Sequence, residues 1–137
     1  MNSRFFARMA LAAAALFLIL LATLHFLEPE FDPSRNLISE YELGRYGWMM
    51  SLAFFSLGVG VLAMLLSTWY PSTTRSGLIG QWWFLVIGIA LLGAGIFYPY
   101  TTPNITSDIH RICGLIVIVS FPVSAALYSS GLAHNPI

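Results

Sequence analysis

Apolar positions along the chain are massed into four runs: Met9 to Leu27, Tyr46 to Thr68, Trp82 to Tyr98 and Ile112 to Tyr128. A helix needs roughly 20 predominantly apolar residues to cross the hydrocarbon of a bilayer, and it satisfies its own backbone hydrogen bonds there. Each run therefore predicts one transmembrane helix. Polar stretches separate them: a long one from Glu28 to Arg45, a shorter one rich in Ser, Thr and Gly from Trp69 to Gln81, and a third from Pro99 to Arg111. Pro29, Pro33, Pro71, Pro99 and Pro103 fall in these stretches, where a helix-breaking residue does no harm. The pattern predicts an all-α, integral membrane four-helix transmembrane bundle. Nothing divides it into more than one domain.

Composition narrows the class further. Of 137 residues, 58% are hydrophobic and 9% charged, against roughly 25% charged in an average soluble domain. The formal net charge of zero provides no basic field for nucleic acid, which is excluded as a partner. A single cysteine, Cys113, can form no internal disulfide and reads as a small packing residue. Arg4 and Arg8 before the first run resemble the basic region of a signal peptide. The run is longer than a signal core, however, and no small-x-small site closes it, so it is expected to be retained as a span.

Aromatic residues gather at the ends of the runs, in Tyr46 and Trp48, Trp69 and Tyr70, Trp82 and Trp83, Tyr98 and Tyr100. Amphipathic rings settle at the headgroup level, so these are expected to form interfacial belts rather than a ligand cage. Basic residues are tied across the membrane, with Arg4, Arg8 and Arg75 on one side and Arg35, Arg45 and Arg111 on the other. The first span usually dominates orientation, which puts both termini in the cytoplasm and all six acids on the outer face. Small residues recur at helical spacing, namely Ser56, Gly60, Ala63 and Ser67 in the second span and Gly88, Ala90, Ala94 and Gly95 in the third. They are expected to let helix backbones approach within the bundle. In the fourth span, Pro122 predicts a bend, with Ser120 and Ser124 available to the carbonyls it frees.

Candidate chemistry is confined to the outer face. Ser39 and Glu42 have the spacing of a capping box, and Ser107 or Asp108 is placed to cap the fourth helix. His25, the Ser39 to Arg45 segment, Tyr98 and the Asp108 to Arg111 run should converge there. The candidate polar site accordingly comprises Ser39, Glu40, Tyr41, Arg45, Tyr98, Asp108, His110 and Arg111. A zinc site on His25, His110 and a carboxylate lacks a close histidine pair. A haem or chlorin held by His25 and His110 rests on two lone histidines, and a Ser39, His110, Asp108 triad lacks the glycines of a nucleophile elbow. No metal or cofactor is predicted; both histidines are expected to be hydrogen-bonded at helix interfaces. Asn104-Ile105-Thr106 matches a glycosylation sequon, a match frequent by chance. His134 is expected to be solvent-exposed in the terminal tail.

Ser39-Glu40-Tyr41 with Gly44, Gly47-Trp48 and Phe54 to Gly60, then Gly95-Ile96-Phe97-Tyr98-Pro99 and His110 opening the next helix, resemble domain of unknown function 998, an uncharacterised family of bacterial and archaeal multi-pass membrane proteins. The resemblance runs from Leu24 to Leu127. It implies a helical membrane fold and no particular reaction. Members commonly carry about six spans, where four are legible here.

Four short spans leave little interior for a substrate and present much helix surface. The expected function is that of a small accessory or interaction protein, a subunit or stabiliser of a larger complex in the inner membrane of a prokaryote, with the lipid bilayer and other membrane subunits as partners. The alternative is a membrane enzyme or cofactor-binding protein using His25, Asp108 and His110. A transporter ranks third, since mid-span positions carry no ionisable residue.

Overall fold

A computed structural model describes residues 2–69, 74–102 and 104–133. Four helices make up most of it: α1 Ser3–Leu27, α2 Gly47–Ser67, α3 Arg75–Ile96 and α4 Ile105–Ala133. A short 3-10 helix, Ile38–Leu43, lies between α1 and α2. No strand occurs among the described residues, and all four long helices are apolar enough to cross a membrane. Tyr70, Pro71, Pro103 and His134, on which expectations were placed above, lie outside the described residues.

The helices outrun the apolar stretches. α3 begins at Arg75 rather than Trp82, and α4 at Ile105 rather than Ile112. Hydropathy marks only the part of a helix that suits hydrocarbon, whereas caps decide where the helix starts. Thr74 accepts from the Gly77 amide at 3.2 Å, and Asn104 Oδ1 accepts from the Ser107 amide at 2.9 Å. Asn104 is thus the cap of α4, not Ser107 or Asp108. Ser107 instead donates its hydroxyl to the Tyr100 carbonyl at 3.1 Å, and Asp108 stays in the first turn, where its charge suits the helix dipole.

Packing runs along the chain order: α1 against α2, α2 against α3, α3 against α4, with no comparable packing between α1 and α4. The central helices are consequently the buried ones. In the apolar windows, 56% of α2 and 44% of α3 positions are buried inside the protein, against 11% of α1 and 6% of α4. Leu24, Met50, Ala53 and Ile87 are wholly enclosed where these layers meet.

Small residues make the close approaches, as helix packing without a hydrophobic driving force requires. A Cβ on Gly60 would stand 3.1 Å from that of Ala13 on α1, and one on Gly95 would stand 2.7 Å from the Ser51 carbonyl oxygen on α2. Ser56 donates to the Ala53 carbonyl at 2.9 Å and to that of Ala13 at 3.3 Å, joining α2 to α1. Ser124 behaves differently from expectation. Its hydroxyl donates to the Ser120 carbonyl at 2.6 Å, the ordinary back-bond one turn earlier, and not to the Ile118 carbonyl that the missing Pro122 amide would leave free.

Candidate functional site

The end of α1, the start of α2, the end of α3 and the start of α4 share one end of the bundle, and the 3-10 helix packs on α2 there. Glu42, near the close of the 3-10 helix, is 0% exposed. Three elements hold it. Ser51 on α2 donates its hydroxyl to Oε1 at 2.8 Å; Tyr98, in the α3–α4 connection, donates its hydroxyl to the Glu42 backbone carbonyl; and His110 on α4 brings Nδ1 to 3.4 Å from Oε2. Burial pushes the Glu42 carboxyl up to about 7, with the Ser51 hydrogen bond pulling the other way. Burial raises the Tyr98 phenol too, and the nearby Glu42 charge adds to it, so Tyr98 stays protonated as a donor.

His110 is 4% exposed. Its Nδ1 lies 2.9 Å from the Phe97 carbonyl oxygen and 3.1 Å from that of Ala94. Carbonyls only accept, so the hydrogen-bond network assigns the proton of a neutral ring to Nδ1. Nε2 is left as the basic nitrogen. The edge of Phe54 meets the ring at a centroid distance of 6.0 Å.

A second buried carboxylate belongs to the same end. Glu28 follows the last turn of α1, is 1% exposed, and accepts the Tyr46 amide on Oε1 at 2.5 Å, tying α1 to the start of α2. Tyr41 lies beside it, fully buried. Its ring packs against His25 at 5.2 Å and Phe31 at 5.4 Å, while its hydroxyl donates to the Phe31 carbonyl at 3.0 Å. Two glycines make room for these acids. A Cβ on Gly44 would collide with the Glu28 carboxylate, and one on Gly47 with the Glu42 backbone carbonyl. The Oε2 atoms of Glu28 and Glu42 are both buried without a hydrogen-bond donor.

Of the residues singled out in the sequence, Tyr41, Tyr98 and His110 are drawn into this buried region. Others stay at its margin. Glu40 accepts from the Asn36 amide group, Arg45 is exposed and sits 5.6 Å over the Tyr46 ring, and Arg111 faces Asp108 at 3.9 Å with both largely exposed. Ser39 and Glu42 form no capping box, because the Glu42 side chain turns inward to Ser51 and His110. Nor does a Ser39, His110, Asp108 triad assemble, since His110 faces Glu42 and two carbonyls. The acids are not all on an outer surface either; Glu28 and Glu42 lie beneath it. His25 donates from Nδ1 to the Leu21 carbonyl of its own helix at 2.7 Å. No three His, Cys, Asp or Glu side chains converge as metal ligands among the described residues. Asn104 of the sequon uses its Oδ1 as the helix cap.

Sequence reasoning missed Glu28, Ser51 and the inward turn of Glu42. For Glu42 and Ser51 a signal existed: the acid lies just before a span and the serine one turn inside it, with glycine at position 47 between them. Glu28 carried no such mark.

A sequence model of the family described as Protein of unknown function (DUF998) matches residues 11–136. No curated protein and no solved structure gives a significant match to the chain.

Proposed function

The chain belongs to this family of proteins of unknown function, and from its helix arrangement we propose that it is a small accessory protein of a larger membrane complex, binding other membrane subunits through its outer helices. The observation that carries this reading is the unequal burial of the four spans, 56% and 44% for the central pair against 11% and 6% for α1 and α4. Helices in lipid associate by close packing, and α4 presents a notch for it. Nothing lies within 4 Å of a Cβ placed on Gly114, between the exposed Ile112 and Leu115. Within this proposal the protein sits in the inner membrane of a prokaryote, and the placing of both termini in the cytoplasm rests on the even number of spans and on Arg4 and Arg8 leading the first. The reading calls on no cofactor.

Site-specific photo-crosslinking in native membranes tests it. A crosslinker at Leu115 or Ile118 on the outer face of α4 is expected to join the chain to a defined protein, and one at the buried Ile87 is not. Adducts with lipid alone from every outer position of α1 and α4 would overturn the proposal.

A further inference from the structure

We propose that Glu42 and His110 form a proton-binding site that keeps the 3-10 helix seated on the end of the bundle, and that loss of its proton to the adjacent aqueous phase releases that segment. The argument starts from charge. With Glu42 ionised and His110 neutral, the buried pair carries one uncompensated negative charge, costly in a low-dielectric setting. Among the described residues, the groups that meet it offer no cation: from α2 comes the Ser51 hydroxyl and from the α3–α4 connection the Tyr98 phenol, while the Glu28 carboxylate at the end of α1 acts on Tyr98 as a further negative charge. Arg45 stacks on Tyr46 and Arg111 faces Asp108, both at the surface.

One added proton removes the net charge in either of two ways. On Nε2 of His110 it makes an imidazolium whose Nδ1 is 3.4 Å from the carboxylate; on Oε2 of Glu42, which has no donor, it makes a neutral acid beside a neutral ring. Either placement balances the buried charge with a single proton. The raised position of Glu42, about 7, agrees with such a site. The sign follows. A carboxyl held above its ordinary value of 4.5 favours the closed arrangement at low pH, and that preference is lost as pH rises through about 7.

Mechanical consequence comes from where Glu42 sits. The 3-10 helix has no side-chain cap, and its outward residues Ile38 and Leu43 are exposed. Glu42 is its link to α2, to the α3–α4 connection and to α4 at once. Hydrating the charged carboxylate requires its contacts with Ser51 and His110 to part, and opening of the segment is the route by which water reaches it.

Hydrogen–deuterium exchange on the full chain in lipid nanodiscs reads this directly. After correction for intrinsic exchange, opening of residues 38–43 is expected to rise between about pH 4.5 and about pH 7, by up to about tenfold per unit, the slope of one released proton, and to level off above that. Exchange in the middle of α2 should not follow it. Glu42→Gln, neutral at every pH, should flatten the rise. His110→Gln should retain a rise displaced to lower pH, because one of the two proton positions is gone. A pH-independent 3-10 helix in the native chain, or an unaltered profile in Glu42→Gln, would overturn the proposal. A rise unmoved by His110→Gln would also overturn it, by assigning the proton to Glu42 alone.

Discussion

Nδ1 of His110 stands 3.4 Å from Oε2 of Glu42, joining the second turn of α4 to the 3-10 helix between α1 and α2 with both side chains enclosed. Neither group is satisfied by the other alone. The imidazole N–H is shared with two carbonyl oxygens, and the carboxylate depends on Ser51 for its one side-chain hydrogen bond. Such half-satisfied buried networks respond strongly to single changes.

Ser51→Ala removes the donor that favours the charged form of Glu42. The Glu42 carboxyl should therefore move further up, and the pH at which the rise in exchange of the 3-10 helix levels off should move up with it. Leaving the carboxylate oxygen unpaired costs about 1–3 kcal/mol where Glu42 is ionised. Thermal unfolding in detergent at about pH 8 should show a larger loss than at about pH 5, the Glu42 carboxyl being protonated at the lower value. Equal losses at both would contradict this account.

Glycine at 47 is required by backbone, not by a side chain that could move, since a Cβ there strikes the Glu42 carbonyl. Gly47→Ala should destabilise by about 1–3 kcal/mol or more through overpacking. Gly114→Ala meets nothing within 4 Å and should instead be neutral or stabilise by up to about 1 kcal/mol through helix propensity. Melting temperatures of the two variants measured side by side decide it; a milder effect at Gly47 than at Gly114 is the adverse outcome.

His25→Gln and His110→Gln should both leave assembly intact, because a glutamine amide can still donate to the Leu21 carbonyl or to those of Ala94 and Phe97. Loss of one contact costs about 1 kcal/mol. His110→Leu should cost more, about 1–3 kcal/mol, since it leaves buried oxygen atoms without any donor. Size-exclusion profiles and unfolding curves read this out. A Soret band or stoichiometric metal lost on either glutamine substitution would instead identify the histidines as ligands.

Tags fused before Met1 and after Ile137 should both report the cytoplasm, and a cysteine at Leu43 in a Cys113→Ser background should react with an impermeant maleimide from the other side. Opposite locations for the two ends would require a different number of spans from the four present.

Much of this was legible in order along the chain. The four spans, the all-helical fold and the gathering of polar groups at one end follow from hydropathy and chain direction, because a segment that must hide its backbone from lipid has few alternatives to a helix. Tyr41, Tyr98 and His110 could be nominated on the same ground, as polar residues brought to one end of the bundle. What the sequence could not decide was which charges go inside. Glu42 and Glu40 are two positions apart, and Asp108 and His110 likewise; in each pair one side chain is buried and the other is at the surface or only partly covered. That choice belongs to tertiary structure: the phase of the 3-10 helix against α2, the room left at Gly44 and Gly47, and the arrival of Ser51, Tyr98 and His110 from three separate elements. An acid enters a protein interior only where donors from distant parts of the chain meet it, and no local pattern records that meeting.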